Sequence, residues 1–479
     1  MVQVKRLNIK IKANPNRVLP LFMDLKKKER IAAIVSKIVA LDDQSVELAI
    51  GRVFNDFENR HFDFKETILK HFETIENKVV LPEMLSLSRK FLIGAYFTKE
   101  YSIESAALFN PSIVVHPDQN GCNNDSVRFI MSLRATGEGH ISSIVFRTGF
   151  VSKEGEVSMD KVSNKTTSAT KNKKLIYQKS FINERARLNA RINPELFNYL
   201  PDEFSEMEAY RVIDDLKAKN LFKLNGSKRA LAEIFDTNYD LTFNNNKPLS
   251  NRVIFPSSKK ESMGMEDVRF VHFSDNNKRE YIGTYTAYNG KNTRIQIIKT
   301  NDFNTFEIRS LYGKAAKDKG MALFPEKING KYAMVGRQEG NSISIMYSDN
   351  LYFWDNYKVI QKPERDWEIT QLGNSGSPVK TLHGWLLLTH AVGPLRKYVL
   401  SATLLDLNNP EKVLATLPHP LLSPNEEERE GYVPNVVYTC GFLQHGNKLI
   451  IPYAISDSAT SFATVDIHLL LEKLLKNIQ

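Results

Sequence analysis

Five stretches of the chain share one hydrophobic pattern: an apolar, β-rich run, a polar turn, then a second β-rich run. They cover residues 128–148, 281–299, 332–347, 385–405 and 449–467. Their polar positions hold Arg134, Glu138, Arg337, His390 and Asp457. Apart from one long interruption after the first, the unit returns about every 50–65 residues, the spacing of propeller blades. The pattern predicts a mainly β fold, a five-bladed β-propeller. In such a fold the inner strands converge on one axis, so polar residues far apart in the chain meet in a single pocket.

Other segments follow other periods. Residues 2–12 alternate like a strand. Residues 26–103 switch to helical spacing, through Ile31, Ile34, Val35, Ile38 and Val39, and again through Phe64, Ile68, Leu69 and Phe72. This predicts a mostly helical N-terminal region, residues 1–105, ahead of a propeller over 106–479. Residues 152–174 are polar and read as a loop. Helical spacing resumes over 181–241, with Ile213, Leu216, Leu221, Leu231 and Ile234. That is a helical insertion over about 178–242, between the first and second blades, expected to overhang the pocket. Residues 467–478 read as a closing amphipathic helix.

Composition and charge change this picture little. The formal charge of +10 is spread over separate lysine clusters at 26–28, 171–174 and 314–319. They read as solvated faces or as a site for a small anion such as phosphate. With no arginine-rich helix and no aromatic RNA-binding signature, no nucleic-acid partner is expected. The two cysteines, Cys122 and Cys440, make neither a disulfide framework nor a zinc knuckle, and no metal is expected. Charged residues interrupt every apolar run of the first 30 residues, and no membrane-length apolar segment follows. The expected location is the cytoplasm, with no membrane partner. A homo-oligomer is open, because the helical region would either cap the propeller or form a subunit contact.

Candidate chemistry sits in a few polar clusters. Met263-Gly264-Met265-Glu266-Asp267-Val268-Arg269 sets two acids and an arginine between a glycine turn and a strand. Carboxylates act as general acids in sugar chemistry, and a neighbouring guanidinium holds a carboxylate or hydroxyl in place. A surface ion pair would read the same way. Gly137 and Gly139 suggest a tight turn that aims Glu138 and His140. Arg337, Lys380, His390 and Tyr398 are donors that, gathered at one end of an axis, would cradle an oxyanion. Asp457 follows an apolar strand and either binds sugar hydroxyls or caps a turn. No Gly-x-Ser-x-Gly elbow, His-Glu-x-x-His or metal-spaced cysteine pair is present, which argues against serine nucleophiles and zinc.

In these clusters the sequence resembles glycoside hydrolase family 130, which contains mannoside phosphorylases and related β-mannosidases. The likeness runs from about Asn110 to the C-terminus. It rests on Gly264-Met265-Glu266-Asp267-Val268-Arg269, on Leu323-Phe324-Pro325-Glu326-Lys327-Ile328-Asn329-Gly330, and on residues 376–388, 402–406 and 431–441. The resemblance implies a five-bladed propeller and inverting, single-displacement chemistry at the anomeric carbon of a β-linked mannose. It places the acid on Asp267, acting through a sugar hydroxyl. It places sugar contacts on Asn110, Arg134, Arg269 and Asp457, and phosphate contacts on Arg337, Lys380, His390 and Tyr398. Inorganic phosphate is then the co-substrate, a small oligosaccharide the substrate, and no other cofactor is expected. Two segments depart from the family. Its phosphorylases commonly carry an Arg-Asn-Lys-Asp-like run where this chain has Lys317-Asp318-Lys319-Gly320, and the Gly137-Glu138-Gly139-His140 turn also differs.

Three readings remain open at this point. Phosphorolysis of β-1,2- or β-1,4-linked manno-oligosaccharides needs cations to orient phosphate. Hydrolysis needs a second carboxylate to activate water, and Glu138 or Glu430 would serve. A non-catalytic, glycan-binding propeller needs neither. A furanosidase of another five-bladed family fits poorly, because Asp118 and Asp125 lie in a turn rather than at the start of the first blade.

Overall fold

The computed structural model describes residues 2–122, 125–172, 174–189, 191–220, 226–244, 247–275 and 278–476. The chain is mainly β. The five hairpins legible in the sequence are present, and each forms the middle of a longer antiparallel meander. The first comprises Ala107–Val115, Ser126–Thr136, Ser142–Ser152 and Val157–Met159. The second comprises Gly264–Asp275, Lys278–Tyr288, Thr293–Thr300 and Thr305–Ser310. The third runs through Ala322–Leu323, Tyr332–Gly336, Ile343–Ser348 and Lys358–Gln361. The fourth runs through Gln371–Asn374, Gly384–Val392, Tyr398–Leu405 and Val413–Thr416. The fifth joins Val437–Tyr438, Lys448–Ile455 and Ala459–Asp466 to the N-terminal strand Val4–Lys12. The region expected to be separate thus begins inside the last meander.

The strands are apolar on both faces, and the period of two explains where each face goes. Adjacent residues enter different layers. Val145 packs with Ile450 and Phe462 of the fifth meander, while Ile144 packs with Phe270 and Tyr285 of the second. Val271 meets Met334 of the third, Val335 meets Trp385 of the fourth, and Leu386 meets Ile451 of the fifth. Each buried side chain of this size contributes about 1.5–3 kcal/mol. The inner strand Ala107–Val115 lies beside both Gly264–Asp275 and Lys448–Ile455, so the first meander neighbours the second and the fifth. Hydrogen bonding links the first two meanders, through Gly264 and Ser142, into one sheet and leaves the others as separate sheets.

The N-terminal helical pattern resolves into helices Lys28–Val39, Asp43–Phe57, Phe64–Glu76 and Leu87–Tyr96. Ile31, Val35, Ile38, Phe64, Ile68 and Phe72 are buried in their shared core. Gly94 permits the closest packing there, because a Cβ at that position would lie 1.9 Å from the Ile68 carbonyl oxygen. Buried Arg89 donates to the carbonyls of Ile38, Val39 and Leu41, capping the first helix's C-terminal end. Strand Thr98–Ser102 pairs with Val18–Phe22 and returns the chain to the first meander.

The insertion forms helices Lys179–Arg187, Glu206–Ala218 and Ser227–Asp236 around Ile182, Ile213, Leu231 and Phe235. Leu221 lies outside the described residues. No described residue of the insertion lines the pocket. Its exit strand Tyr239–Thr242 pairs with Thr305–Ser310, the outermost strand of the second meander, so the insertion is held at the rim. The segment expected as a loop at 152–174 carries short strands at Val157–Met159, Thr167–Ser168 and Thr170–Lys171. The closing helix is Ile467–Leu475, capped by the Asp466 carboxylate; residues 477–479 lie outside the described residues. Among the described residues no helix is long and apolar enough to cross a membrane.

Candidate active site

All five meanders contribute to one cavity of about 390 Å³. The first gives Asn110 and Arg134, the second Asp267 and Arg269, and the fourth Gln371, Asn374, His390 and Tyr398. Arg337 comes from the third, as does the segment Asp318, Lys319 and Gly320 that leads into it. Tyr438 and Asp457 come from the fifth. A cavity of this size accepts a monosaccharide unit and a small anion.

The backbone that presents these groups is unusual. Asn110, Asp267, Asp318, Arg396 and Asp457 all have φ between 50° and 60°. β-Bulges interrupt the inner strands between Phe109 and Ser112 and between Glu266 and Arg269. A bulge re-aims one side chain out of the pleat, and it is Asn110 and Asp267 that are re-aimed. Asn and Asp tolerate the left-handed region better than other non-glycine residues, which explains their use here.

Asp267 Oδ1 accepts from Asn110 Nδ2 at 2.7 Å and from Arg134 Nη1 at 3.2 Å. Burial pushes the Asp267 carboxyl up, but Arg134, the Asn110 hydrogen bond, Lys319 and Arg269 outweigh it, so its pKa is held below the ordinary value. Glu266 lies beneath, bonded to Arg134 at 2.8 Å and to Lys319 at 3.0 Å, and fixes both cations. Among the described residues, no carboxylate pairs with Arg269. It donates to the carbonyls of Gly320 and Asn374 and to the Tyr438 hydroxyl, tying together segments around the cavity.

Asp457 behaves oppositely to Asp267. Burial and then the negative charge of Asp267 push its carboxyl up to about 6, against the pull of Arg134 and Arg396. The folded chain therefore holds a proton there that the unfolded chain has released, between the ordinary value of 3.8 and about 6. Stability from this group is lost as pH rises through that window. Asp457→Asn is expected to raise stability at pH 7.5 by about 1–3 kcal/mol, while leaving it unchanged near pH 4. Thermal denaturation at the two pH values checks this; an equal shift at both would contradict it.

The other expected residues divide. Arg337 and Tyr398 line the cavity, and the buried Arg337 Nε has no hydrogen-bond partner among the described residues. His390 also lines it but is not a cation. Burial, Arg337 and Arg269 hold its pKa well below the ordinary value. The Asn374 carbonyl, 3.1 Å from Nδ1, can only accept, so Nδ1 carries the proton and Nε2 accepts from the Gln371 amide at 3.2 Å. His390 therefore orients Gln371.

Three expected residues lie outside the cavity lining. Lys380 does not reach the cavity. It pairs with Trp385 across its hairpin, five residues before His390, and at about 3.4 Å per residue that is roughly 17 Å away along the strand. Its ammonium meets Glu326 at a separate groove beside Phe270 and Phe442. Glu138 is also absent from the cavity lining. The Tyr101 hydroxyl donates to its carbonyl, and its exposed carboxylate faces Lys99 at 3.3 Å. The N-terminal region has claimed this turn. Glu430 is exposed and outside the lining.

Sequence reasoning missed Asp318, Lys319, Gln371, Asn374, Arg396 and Tyr438 as site residues. The segment Lys317-Asp318-Lys319-Gly320 had stood out as a departure, and Tyr438 lay within a matching stretch. Neither segment signalled which side chains turn inward.

Residues 230–476 match the family model for glycoside hydrolase family 130, described as beta-1,4-mannooligosaccharide phosphorylase. A 1,2-beta-oligomannan phosphorylase of Thermoanaerobacter sp. is 34% identical over 223 residues, which cover 46% of this chain and 73% of that protein. A beta-1,2-mannobiose phosphorylase of Listeria innocua is 30% identical, over 46% of this chain and 63% of that protein. A beta-1,4-mannooligosaccharide phosphorylase of Ruminococcus albus is 30% identical, over 45% of this chain and 69% of that protein. With the family model matched over more than half of its length, the chain belongs to glycoside hydrolase family 130 and is an enzyme of that family, a mannoside phosphorylase or a glycoside hydrolase.

Proposed function

We propose that the five meanders are the blades of a propeller and that their shared cavity carries out inverting phosphorolysis of β-1,2- or β-1,4-linked manno-oligosaccharides. The observation that carries this is the charge layout of the cavity. Arg134, Arg269, Lys319, Arg337 and Arg396 face it, against Asp267, Asp318 and Asp457. With Glu266 beneath, the balance is still positive, and among the described residues Arg337 Nε makes no hydrogen bond, only a 3.7 Å contact with Asp318. An anion is the natural occupant. The relatives' names supply the sugar.

On this reading the terminal mannose sits against Asn110, Arg134 and Asp457, and phosphate sits toward Arg337, Lys319 and Tyr398. A phosphate oxygen bonds to the anomeric carbon as the glycosidic C–O bond breaks. Asp267 supplies the proton, by way of a sugar hydroxyl, to the leaving oxygen. In the empty pocket the cations hold Asp267 ionised. Bound phosphate adds negative charge that opposes them, so the proton affinity of Asp267 rises when the co-substrate arrives. The products are α-mannose 1-phosphate and the shortened saccharide.

Arg337→Ala is expected to raise the KM for phosphate about 10–100-fold, the worth of a charge-assisted hydrogen bond, with a smaller effect on the KM for the saccharide. Initial rates with each substrate varied in turn test this. An unchanged phosphate KM would remove Arg337 from the anion site.

A further inference from the structure

We propose that the cleft between the helical insertion and the second and third meanders is a binding site for a hexose phosphate, separate from the catalytic cavity. The two linings share no residue, so the site stands whether or not the cavity acts on mannosides.

The cleft measures about 590 Å³, against about 390 Å³ for the cavity. Three parts of the chain meet there. The insertion gives Arg185 from helix Lys179–Arg187, Arg191 from the turn after it and Glu233 from helix Ser227–Asp236. The second meander gives Arg294 on strand Thr293–Thr300, and the segment after its last strand gives Lys314. The third meander gives Asp355.

Four cations thus face two carboxylates, and both carboxylates are engaged. Glu233 accepts from Arg191 at 2.9 Å and lies 3.8 Å from Arg229. Asp355 accepts from the backbone N–H of Lys314 at 3.2 Å. A third acid, Glu184, lies outside the lining, held by the Tyr312 hydroxyl at 2.8 Å and the Asn350 amide at 3.2 Å. Among the described residues the Arg294 guanidinium and the Lys314 ammonium make no hydrogen bond or ion pair, and both residues are exposed. Arg185 is 6% exposed, and no carboxylate among the described residues pairs with it. Its Nη atoms donate only to the carbonyls of Phe181 and Ser310. Burial pushes its guanidinium down to about 10. An anion in the cleft offsets that cost through space, because a buried charge is weakly screened. Arg294 and Lys314 supply the direct contacts.

The lining also selects among anions. Inorganic phosphate fills only a small part of a cleft of this size. Glu233 and Asp355 accept from hydroxyls but repel a second anionic group, which disfavours polyanions. Tyr312 is the one aromatic among the described lining residues, and Arg185 and Phe353 already pack on its ring at 4.7 and 5.3 Å, so a nucleobase has no platform. One phosphate joined to a ring of hydroxyls meets all three conditions.

The test is titration calorimetry of the purified full chain and of its Arg294→Ala/Lys314→Ala double variant, with α-mannose 1-phosphate, mannose 6-phosphate and inorganic phosphate. Both side chains are exposed and outside the cavity, so the variant is expected to keep its melting temperature and its turnover of β-mannobiose. The wild type is expected to bind a hexose phosphate in the cleft. The double variant is expected to lose affinity there by about 100-fold or more, the worth of two charge-assisted hydrogen bonds. Each single variant, with a loss of about 10-fold, replaces it if its melting temperature falls. The tighter of the two hexose phosphates shows which carbon carries the phosphate. Because α-mannose 1-phosphate is also the expected product, Arg337→Ala separates the sites: binding lost there and kept in the double variant belongs to the cavity. Hexose phosphate binding that is absent from the wild type, or confined to the cavity by this criterion, would overturn the proposal and leave the mannoside reading standing. Inorganic phosphate bound in the cleft as tightly as either hexose phosphate would overturn the sugar phosphate as its ligand.

Discussion

Asp267→Asn is expected to lower the turnover of β-mannobiose by about 10²–10⁴-fold while the cavity stays formed. The amide oxygen can still accept from Asn110 and Arg134, as the carboxylate does now. Asn is also at home at the positive φ of this position. Arg134 keeps its second partner, Glu266. What disappears is the ability to give and take a proton. The loss should therefore fall on kcat, with mannose binding by calorimetry and the melting temperature little changed. Turnover near the wild-type rate would mean that the proton comes from elsewhere in the cavity, with Asp457 the first suspect.

The largest expected loss of stability lies outside the cavity, at Glu104. This fully buried carboxylate accepts from Arg17 and Arg147, both at 2.8 Å. Arg17 also donates to the carbonyls of Ser163 and Ser250, so the cluster joins the N-terminal segment, the first meander and the approach to the second. Burial and the neighbouring Arg147 already push the Arg17 guanidinium down to about 10. Glu104→Ala leaves two buried guanidinium groups without their counter-charge, and breaking such a pair costs about 3–5 kcal/mol. Against a typical total stability of about 5–15 kcal/mol, that is a large share. Urea denaturation of the wild type, Glu104→Ala and Glu104→Gln measures it. A loss below about 1 kcal/mol for the Ala variant would show that solvent or neighbouring groups absorb the charge.

Hairpins were legible because a strand packed on both sides writes an uninterrupted apolar run, as at Trp385 to Leu388. The 3.2 Å contact of Asp267 with Arg134 was not legible, because it depends on the bulge that turns Asp267 out of its strand. Failures came from questions that local pattern does not answer. Lys380 and His390 sit on one hairpin, and only the strand register shows that they lie at opposite ends of it. Glu138 reads like a pocket residue, but a distant tyrosine, Tyr101, holds its turn toward the helical region. The charge state of His390 depends on burial and on two arginines from other meanders. The left-handed backbone at Asp318 and Arg396 has no apolar periodicity to announce it.

Phosphorus NMR of the purified chain with β-1,2-mannobiose and inorganic phosphate tests most directly whether one cavity joins an acid to an anion site. The expected spectrum loses inorganic phosphate and gains α-mannose 1-phosphate, with an equal amount of free mannose formed beside it. An unchanged phosphate signal over intact β-1,2- and β-1,4-mannobiose, from a protein that is folded, would contradict the assignment of this cavity.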